Sequence, residues 1–428
     1  MLKPRGVLWH DGDFLRFWSA QTISQFGSQV SGLALPFVAI YVLKASAFQI
    51  AALSAVEFAP FVLLTLPAGV WVDRLRRRPL MIAADWGRAA ALGSVPVAYA
   101  LGDLTLGQLY IVGFIVGCLT VFFDIAYQSY LPSLVSREHL GEGNTKLETS
   151  RAAAQVSGPG LAGLLVSAVT APYAVAVDAI SFVGSALFAT AIRRREPVEA
   201  KQLEARPRMR TEIMTGLRYT LRHPLLRPLI FQIGIQNFFI NMIGALLVVY
   251  SVRDLDLSAP TVGLVYSLGN VGLLVGAPIA GRLARSFGIG PVLVWVQFVT
   301  GASYLLIAGA PRSFPIPFLV GAEFLWSVGA ILYFVNGISL IQAITPDRLL
   351  GRVNASRRFA VWGVIPIGQL IAGVIAATAG LHTAIWVGAI GGAVSIIPLL
   401  ISPMRSVRTT DDARVLVADL NERFAAGS

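Results

Sequence analysis

Twelve stretches of about twenty predominantly apolar residues run through this chain, near 17–43, 48–72, 79–101, 107–131, 147–169, 172–192, 226–252, 260–284, 290–310, 315–344, 355–379 and 382–402. Each is long enough to cross a hydrocarbon core of about 30 Å as an α-helix. Inside such a core every backbone N–H and C=O needs a partner from the chain itself, and a helix supplies one for each. Composition leaves no other solvent: 55% of the residues are hydrophobic and only 13% are charged, against about 25% charged in a soluble chain. The expected fold is an all-α membrane protein of twelve transmembrane helices. The runs at 147–169 and 355–379 are more polar, as expected of helices buried between neighbours. The first run is too long, and lacks the small-x-small end, for a cleaved signal peptide.

Charge then orients the spans. One assignment leaves only Lys44, Arg253 and Arg312 outside, with every other Lys and Arg of the 34 in loops, tails or helix ends of the opposite side. The positive-inside rule makes that opposite side cytosolic, and twelve spans put both termini there. The net charge of +11 does not imply nucleic acid, because a nucleic-acid reader gathers its basic residues on one water-facing patch. Here they form short clusters between apolar runs, so the lipid bilayer is the expected partner. Only four of the basic residues are lysine, and Ala and Gly abound, a bias that leans toward a GC-rich bacterial genome and hence a bacterial inner or plasma membrane. The longest internal connection, about 193–225, carries Ile213, Met214, Leu217 and Leu221 at helical spacing beside Arg210, Arg218 and Arg222. That pattern predicts an amphipathic helix lying on the cytosolic leaflet. The tail from about 404 is expected to be solvated, with a short helix over Asp411 to Phe424 as the other reading.

An internal repeat divides the chain. His139-Leu140-Gly141-Glu142-Gly143-Asn144 matches Leu349-Leu350-Gly351-Arg352-Val353-Asn354 at an offset of about 210, which also carries Gly158 onto Gly368 and Gly163 onto Gly373. An offset of about 211 carries Gln21 onto Gln232 and Gln25 onto Gln236; one of about 212 carries Ala68-Gly69 onto Ala280-Gly281 and Pro79 onto Pro291. Two pseudo-symmetric six-helix bundles follow: 1–198, then a linker at 199–225, a second bundle at 226–403 and the tail at 404–428. Secondary transporters use this architecture, with the substrate near the bilayer midplane.

The loop between spans two and three reads Gly69-Val70-Trp71-Val72-Asp73-Arg74-Leu75-Arg76-Arg77-Arg78-Pro79. It resembles the major facilitator superfamily signature, with Arg76 where most members have glycine. Together with Phe17-Trp18, Gln21, Ser24-Gln25 and Leu35-Pro36 it resembles the drug:proton antiporter branch that contains macrolide-efflux proteins and the enterobactin exporter. In span five Gly158-Pro159-Gly160-Leu161-Ala162-Gly163 is similar to the glycine-proline motif of antiporters in that superfamily, Ala162 replacing one glycine. The resemblance implies the major facilitator fold and export by alternating access. It also implies gating roles for Gly69, Asp73, Arg74, Arg77, Asp124, Gly158, Pro159 and Gly163. Physics agrees with a latch: Gly69 permits close helix packing, Asp73 suits the exposed N–H groups that start a neighbouring helix, and Arg77 is then free to pair with Asp124. Plain membrane anchoring accounts for most of the basic cluster, and small-residue packing accounts almost as well for each single glycine. The second copy has Arg285 where Asp73 stands, so that half is expected to lack the latch.

Ionisable residues inside spans are costly and mark function. Glu57, Asp124, Asp178 and Glu323 meet that description. Asp178 is expected at the outer interface and Asp124 near the cytosolic face. Glu57 and Glu323 fall roughly 10–15 Å below the outer end at 1.5 Å per residue, with no Lys or Arg expected at matching depth. Two readings stand for both: a proton-coupling or substrate group, or a hydrogen-bonded structural carboxyl. Gln21 and Gln25 share one face of span one; Gln232 with Gln236, and Asn237 with Asn241, share faces of span seven. The resemblance places spans one, four, seven and ten around a central cavity, which these amides would line with Tyr127, Trp326, Tyr333 and Asn336. Interhelical hydrogen bonds and lipid-facing packing are the competing readings.

No phosphate loop of the Gly-x-x-x-x-Gly-Lys type occurs, so ATP-driven transport by this chain alone is excluded. The four histidines are scattered and the single Cys118 can form neither an internal disulfide nor a multi-cysteine metal site. No metal or cofactor is expected, and no enzymatic activity. The leading expectation is a monomeric secondary exporter exchanging protons for drug-like or siderophore-like small molecules. The alternatives are an uptake symporter of the same fold and, from another class, a membrane enzyme or scaffold.

Overall fold

The computed structural model describes residues 6–72, 75–194 and 209–426, and among these the chain is helical throughout. The helices are α1 (Gly12–Phe37), α2 (Ala47–Val72), α3 (Arg77–Leu101), α4 (Leu106–Leu134), α5 (Leu140–Val169), α6 (Ala171–Ala191), α7 (Met209–Arg222), α8 (Leu226–Arg253), α9 (Ala259–Phe287), α10 (Ile289–Ala308), α11 (Ile316–Ile344), α12 (Asp347–Trp362), α13 (Val364–Ala379), α14 (Leu381–Val394), α15 (Ile397–Leu400) and α16 (Thr410–Ala426). Eleven segments of the described residues are long and apolar enough to cross a membrane. The remaining run, α3, has the length at 25 residues but carries Asp85 and Arg88 in its middle, and with it the spans number twelve. Span eleven is two helices. Pro366 has no N–H to offer the carbonyl of Trp362, and the chain breaks at Gly363, between α12 and α13.

By contacts the chain forms two compact units, residues 1–200 with 248–267, and residues 201–247 with 268–428. In the first, α1 packs on α5 and α6, α3 on α4 and α6, and α2 on α4. Basic residues here do more than anchor the helices to a membrane surface. Arg78 donates from Nε to the carbonyl of Ala189 (2.9 Å) and from Nη2 to that of Thr190 (2.6 Å), capping α6. Arg194 caps α4 at the Leu134 carbonyl, while the backbone N–H groups of Arg193 and Arg194 donate to Asp13 at 2.9 Å each. Cationic caps suit helix C-termini, where unpaired carbonyls gather negative potential.

The second unit corrects one expectation. The tail is docked, not solvated. Val407 and Arg408 accept from Gly290 and Ile289 across the start of α10, and a Cβ on Gly290 would overlap the Met404 carbonyl. Met404, Val407, Ala413 and Val417 then bury in one core with Leu340 and Ile344. At the start of α16 Asp412 N–H donates to Thr409 Oγ1 (3.1 Å) while Asp412 Oδ2 accepts from Thr409 N–H (2.9 Å), a reciprocal capping box. The amphipathic helix also exists, as α7, but it packs on α12. Gly216 lets the Arg352 carbonyl approach, Tyr219 is buried, and Met214 and Leu221 remain exposed.

Between α7 and α8, His223 accepts from the N–H groups of Leu225 (3.2 Å) and Leu226 (3.1 Å) through Nδ1. Burial pushes its pKa down from 6.5 to about 4. Below pH 6.5 the unfolded chain therefore takes up a proton that the folded ring refuses, and stability is lost as pH falls toward 4. His223→Asn keeps a side-chain acceptor at this helix start and removes the titration. The variant should lose less thermal stability than the parent between pH 7.5 and 5. An equal loss in both would show that His223 does not set the acid sensitivity.

Backbone conformation repeats along with the sequence. Lys44 and Asp256, about 212 apart, both have φ 52°. Thr170 (φ 72°, ψ 158°) and Gly380 (φ 93°, ψ 156°), about 210 apart, make the same turn before α6 and α14. That region suits glycine alone, and holding another residue there costs about 1–3 kcal/mol. Thr170→Gly is therefore expected to stabilise the protein by about 1 kcal/mol after the entropy cost of glycine in the unfolded chain. A thermal midpoint unchanged or lowered would contradict this.

Candidate cavities, buried carboxyls and family

Asp73 and Arg74 lie outside the described residues. Arg77 opens α3. Among the described residues nothing lies within 4 Å of where a Cβ on Gly69 would sit. Asp124 makes no ion pair with Arg77; the cation whose field reaches it is Arg88.

The cation at the centre of the first unit is Arg88. It lies eleven residues inside α3, roughly 16 Å at 1.5 Å per residue, and is 3% exposed. It pairs with Asp85 one turn earlier, whose other oxygen accepts from Ser185 Oγ at 2.7 Å. The guanidinium is sandwiched between Phe123 (4.2 Å) and Phe182 (4.1 Å), a cation–π arrangement that partly replaces lost hydration. Its field extends to Asp178 as well as Asp124. Asp178 is buried between α6 and α1. It accepts from Ser181 (2.9 Å) and lies where a Cβ on Gly27 would be, at 2.4 Å. One cation thus serves three carboxylates. The signal in the sequence was Asp-x-x-Arg in an apolar run, a spacing that puts both on one helix face.

Glu57 and Glu323 have no such help: among the described residues no cation's field reaches either. Glu57, on α2, packs against α4, where a Cβ on Gly113 would sit 2.7 Å from Glu57 Cγ; its Oε1 is buried without a hydrogen-bond partner. Glu323, on α11, packs against α9, where a Cβ on Gly269 would sit 2.2 Å from Glu323 Cβ. Under the repeat, Glu57 corresponds to Gly269 and Gly113 to Glu323, at offsets of about 212 and 210. Each half therefore buries one carboxyl against one glycine at the same helix–helix contact, but the helix that carries the carboxyl is exchanged between halves. Near Glu323, the buried Tyr304 hydroxyl also lacks a partner.

Each unit contains a cavity. The first, about 480 Å³, is lined by Gln21, Gln25, Asp124, Tyr127, Glu148 and Arg151 among others. Tyr127 stacks on Phe17 at 5.3 Å, and Arg151 pairs with Glu148 at 2.7 Å. The second, about 200 Å³, includes Gln236, Asn237, Trp326, Tyr333 and Arg357 in its walls. Three expected lining residues are in neither of these two walls. Gln232 is fully buried and donates to Gln236 Oε1 at 3.0 Å. Asn241 donates to the Asn237 carbonyl on its own helix (2.8 Å). Asn336 is buried and donates to the Leu332 and Ala280 carbonyls. Each amide nitrogen finds a nearby carbonyl or amide acceptor, which spares that group the cost of standing unpaired in hydrocarbon, while Gln232 Oε1 is buried without a partner among the described residues.

The glycine-proline segment of α5 is a contact surface within the first unit. A Cβ on Gly158 would strike Gln29 of α1 (2.4 Å), and one on Gly163 would strike the Ala259 carbonyl (2.4 Å); Gly263 in turn lies against the Pro159 carbonyl. Gly160 N–H donates to Ser267 Oγ at 2.8 Å.

The family model described as transmembrane secretion effector matches residues 9–422. The multidrug efflux pump Tap of Mycolicibacterium fortuitum is 24% identical over 385 residues, 87% of this chain and 91% of that protein. The enterobactin exporter EntS of Salmonella choleraesuis is 24% identical over 354 residues, 80% of each. A bacterial homologue of the iron transporter ferroportin, solved in an inward-facing state, shares the fold with a TM-score of 0.75 at 18% identity, covering 94% of this chain and 100% of that one. Twelve spans, an internal repeat and a family match over nearly its whole length lead to one conclusion: this chain belongs to the transmembrane secretion effector family of major facilitator transporters.

Proposed function

We propose that this transporter is a proton-coupled exporter of drug-like or siderophore-like small molecules, working as a monomer by alternating access in a bacterial inner or plasma membrane with both termini in the cytosol. The observation that carries the coupling is the pair of repeat-related carboxyls, Glu57 and Glu323, each packed into a helix contact where, among the described residues, no cation's field reaches it. An unpaired carboxylate is expensive in hydrocarbon, so such a group crosses as the protonated acid and releases its proton when water reaches it. Export is supported by what the relatives' names say of those proteins, a multidrug efflux pump and an enterobactin exporter. The basic bias of one set of loops supports the orientation. Gating is assigned to Gly69, Asp73, Arg74 and Arg77 at and beside the loop after α2, to Asp124 on α4, and to Gly158, Pro159 and Gly163 in α5, where a Cβ on Gly158 would strike Gln29 and one on Gly163 the Ala259 carbonyl.

Inside-out vesicles from cells producing the protein, energised acid inside, test the direction. An exporter takes up a fluorescent drug from a panel such as ethidium, Hoechst 33342 and rhodamine 6G, and dissipates the gradient as it does so. Uptake confined to right-side-out vesicles, accompanied by proton entry, would instead make the protein the uptake symporter.

A further inference from the structure

Several basic side chains near the helix ends of this protein have found an acceptor: Arg78, Arg194, Arg405 and Arg414 each donate to carbonyls at or near helix ends. Arg357 has not. It lies on α12 six residues before the break at Gly363 and forms part of the 200 Å³ cavity wall of the second unit. Its Nε is buried without a hydrogen-bond partner, and among the described residues no carboxylate reaches it. The charges felt nearby are the Tyr333 hydroxyl and the like-charged Arg358, itself placed over Trp362 at 5.3 Å. The rest of the wall is largely apolar and aromatic, with Ile233, Ile240, Trp326 and Phe334, plus the amides of Gln236 and Asn237. Long basic side chains commonly run to the membrane surface to stay hydrated, but a buried Nε and a place in a cavity wall do not fit that behaviour. A cation held in an apolar pocket without a counter-charge is costly, and the cost is relieved when a ligand brings the missing anion. The planar guanidinium matches a carboxylate through two parallel N–H donors.

We propose that this cavity seats the acidic head of an amphipathic aromatic anion, with Arg357 as its counter-ion and Trp326 and Tyr333 as the aromatic walls. This rests on the reading of the protein as a small-molecule transporter and narrows the substrate class to aromatic carboxylates and their like. A volume of about 200 Å³ suits one bicyclic ring system and its acid group; the rest of a larger molecule would extend beyond it.

Calorimetric titration of the full chain in lipid nanodiscs tests the site with three probes of one shape: 2-naphthoate, neutral 2-naphthamide and cationic 2-naphthylmethylammonium, with empty nanodiscs subtracted. Naphthoate is expected to bind at least about tenfold tighter than the amide, a difference of about 1.4 kcal/mol, and the cation weakest. Arg357→Gln should bring naphthoate to the level of the amide while leaving amide binding unchanged, and Arg357→Lys should keep part of the preference. Retained amide binding shows that the Gln variant is folded. Equal affinity for acid and amide, a preference that survives Arg357→Gln, or no naphthoate binding at millimolar concentration would overturn the proposal. Binding is read without transport, so loss of proton coupling in liposomes with an intact naphthoate preference would sink the coupling reading and leave this one standing.

Discussion

Glu323→Gln is expected to yield a folded protein that no longer moves protons in response to substrate, and Glu57→Gln to impair the same step. Glutamine keeps the size and polarity that each contact accommodates but removes the exchangeable proton. Each charge moved through the membrane field is worth about 2.3 kcal/mol per 100 mV, so losing one coupled proton at that field lowers the attainable substrate gradient by more than tenfold. The exchange of carrier helix between halves makes a sharper expectation. In the second half the carboxyl stands on α11 and the glycine on α9; in the first the carboxyl stands on α2 and the glycine on α4. The double variant Glu57→Gly with Gly113→Glu rebuilds in the first half the arrangement of the second. Removing the Glu57 side chain clears the atom 2.7 Å from the Cβ site of residue 113. Coupling lost in Glu57→Gly alone should return in the double variant. If it does not return while the protein folds, the position of the carboxyl is insufficient and the helix that carries it matters.

The largest stability effect is expected at Arg88. Arg88→Leu strips Asp85 of its ion-pair partner and leaves a buried carboxylate held only by Ser185. Removing one member of a buried pair costs about 3–5 kcal/mol, enough to unfold much of the protein in detergent. Neutralising both members is often close to neutral in stability, and Asn at position 85 still accepts from Ser185. Asp85→Asn with Arg88→Leu should therefore recover most of the lost thermal stability. Transport should not recover, because Asp124 and Asp178 have also lost the cation whose field reached them. A double variant as unstable as the single one would show that the sandwich of Phe123 and Phe182 on the guanidinium, not the ion pair, holds this region together.

The spans and the repeat were legible in the sequence because both rest on patterns that packing does not alter. Twenty apolar residues cross a bilayer whatever their neighbours, and the offset of about 210–212 reappears as matching φ angles at Lys44 and Asp256 and at Thr170 and Gly380. Glu57 and Glu323 stood out for the same reason, as charges in apolar runs. Their relation to each other did not, since it lies in two glycines, Gly113 and Gly269, whose meaning depends on what packs opposite. Arg88 is hard to single out from sequence, because an arginine with its aspartate one turn away adds no net charge to an apolar run. The amides show the limit of facial spacing. Gln25 and Gln236 reach cavities, whereas Gln232, a turn from Gln236, turns inward to bond with it. The tail misled through its charges, which hid the apolar set Val407, Ala413 and Val417 that buries against the second bundle.

The central claim is that substrate and proton movements are linked, and purified protein in liposomes measures the link. With a pH-sensitive dye inside and no imposed gradient, an inwardly directed substrate gradient should drive protons out through correctly oriented molecules and alkalinise the lumen. The Glu57→Gln, Glu323→Gln double variant should show no such change. Substrate entering at the wild-type rate with no change in lumenal pH would contradict the account.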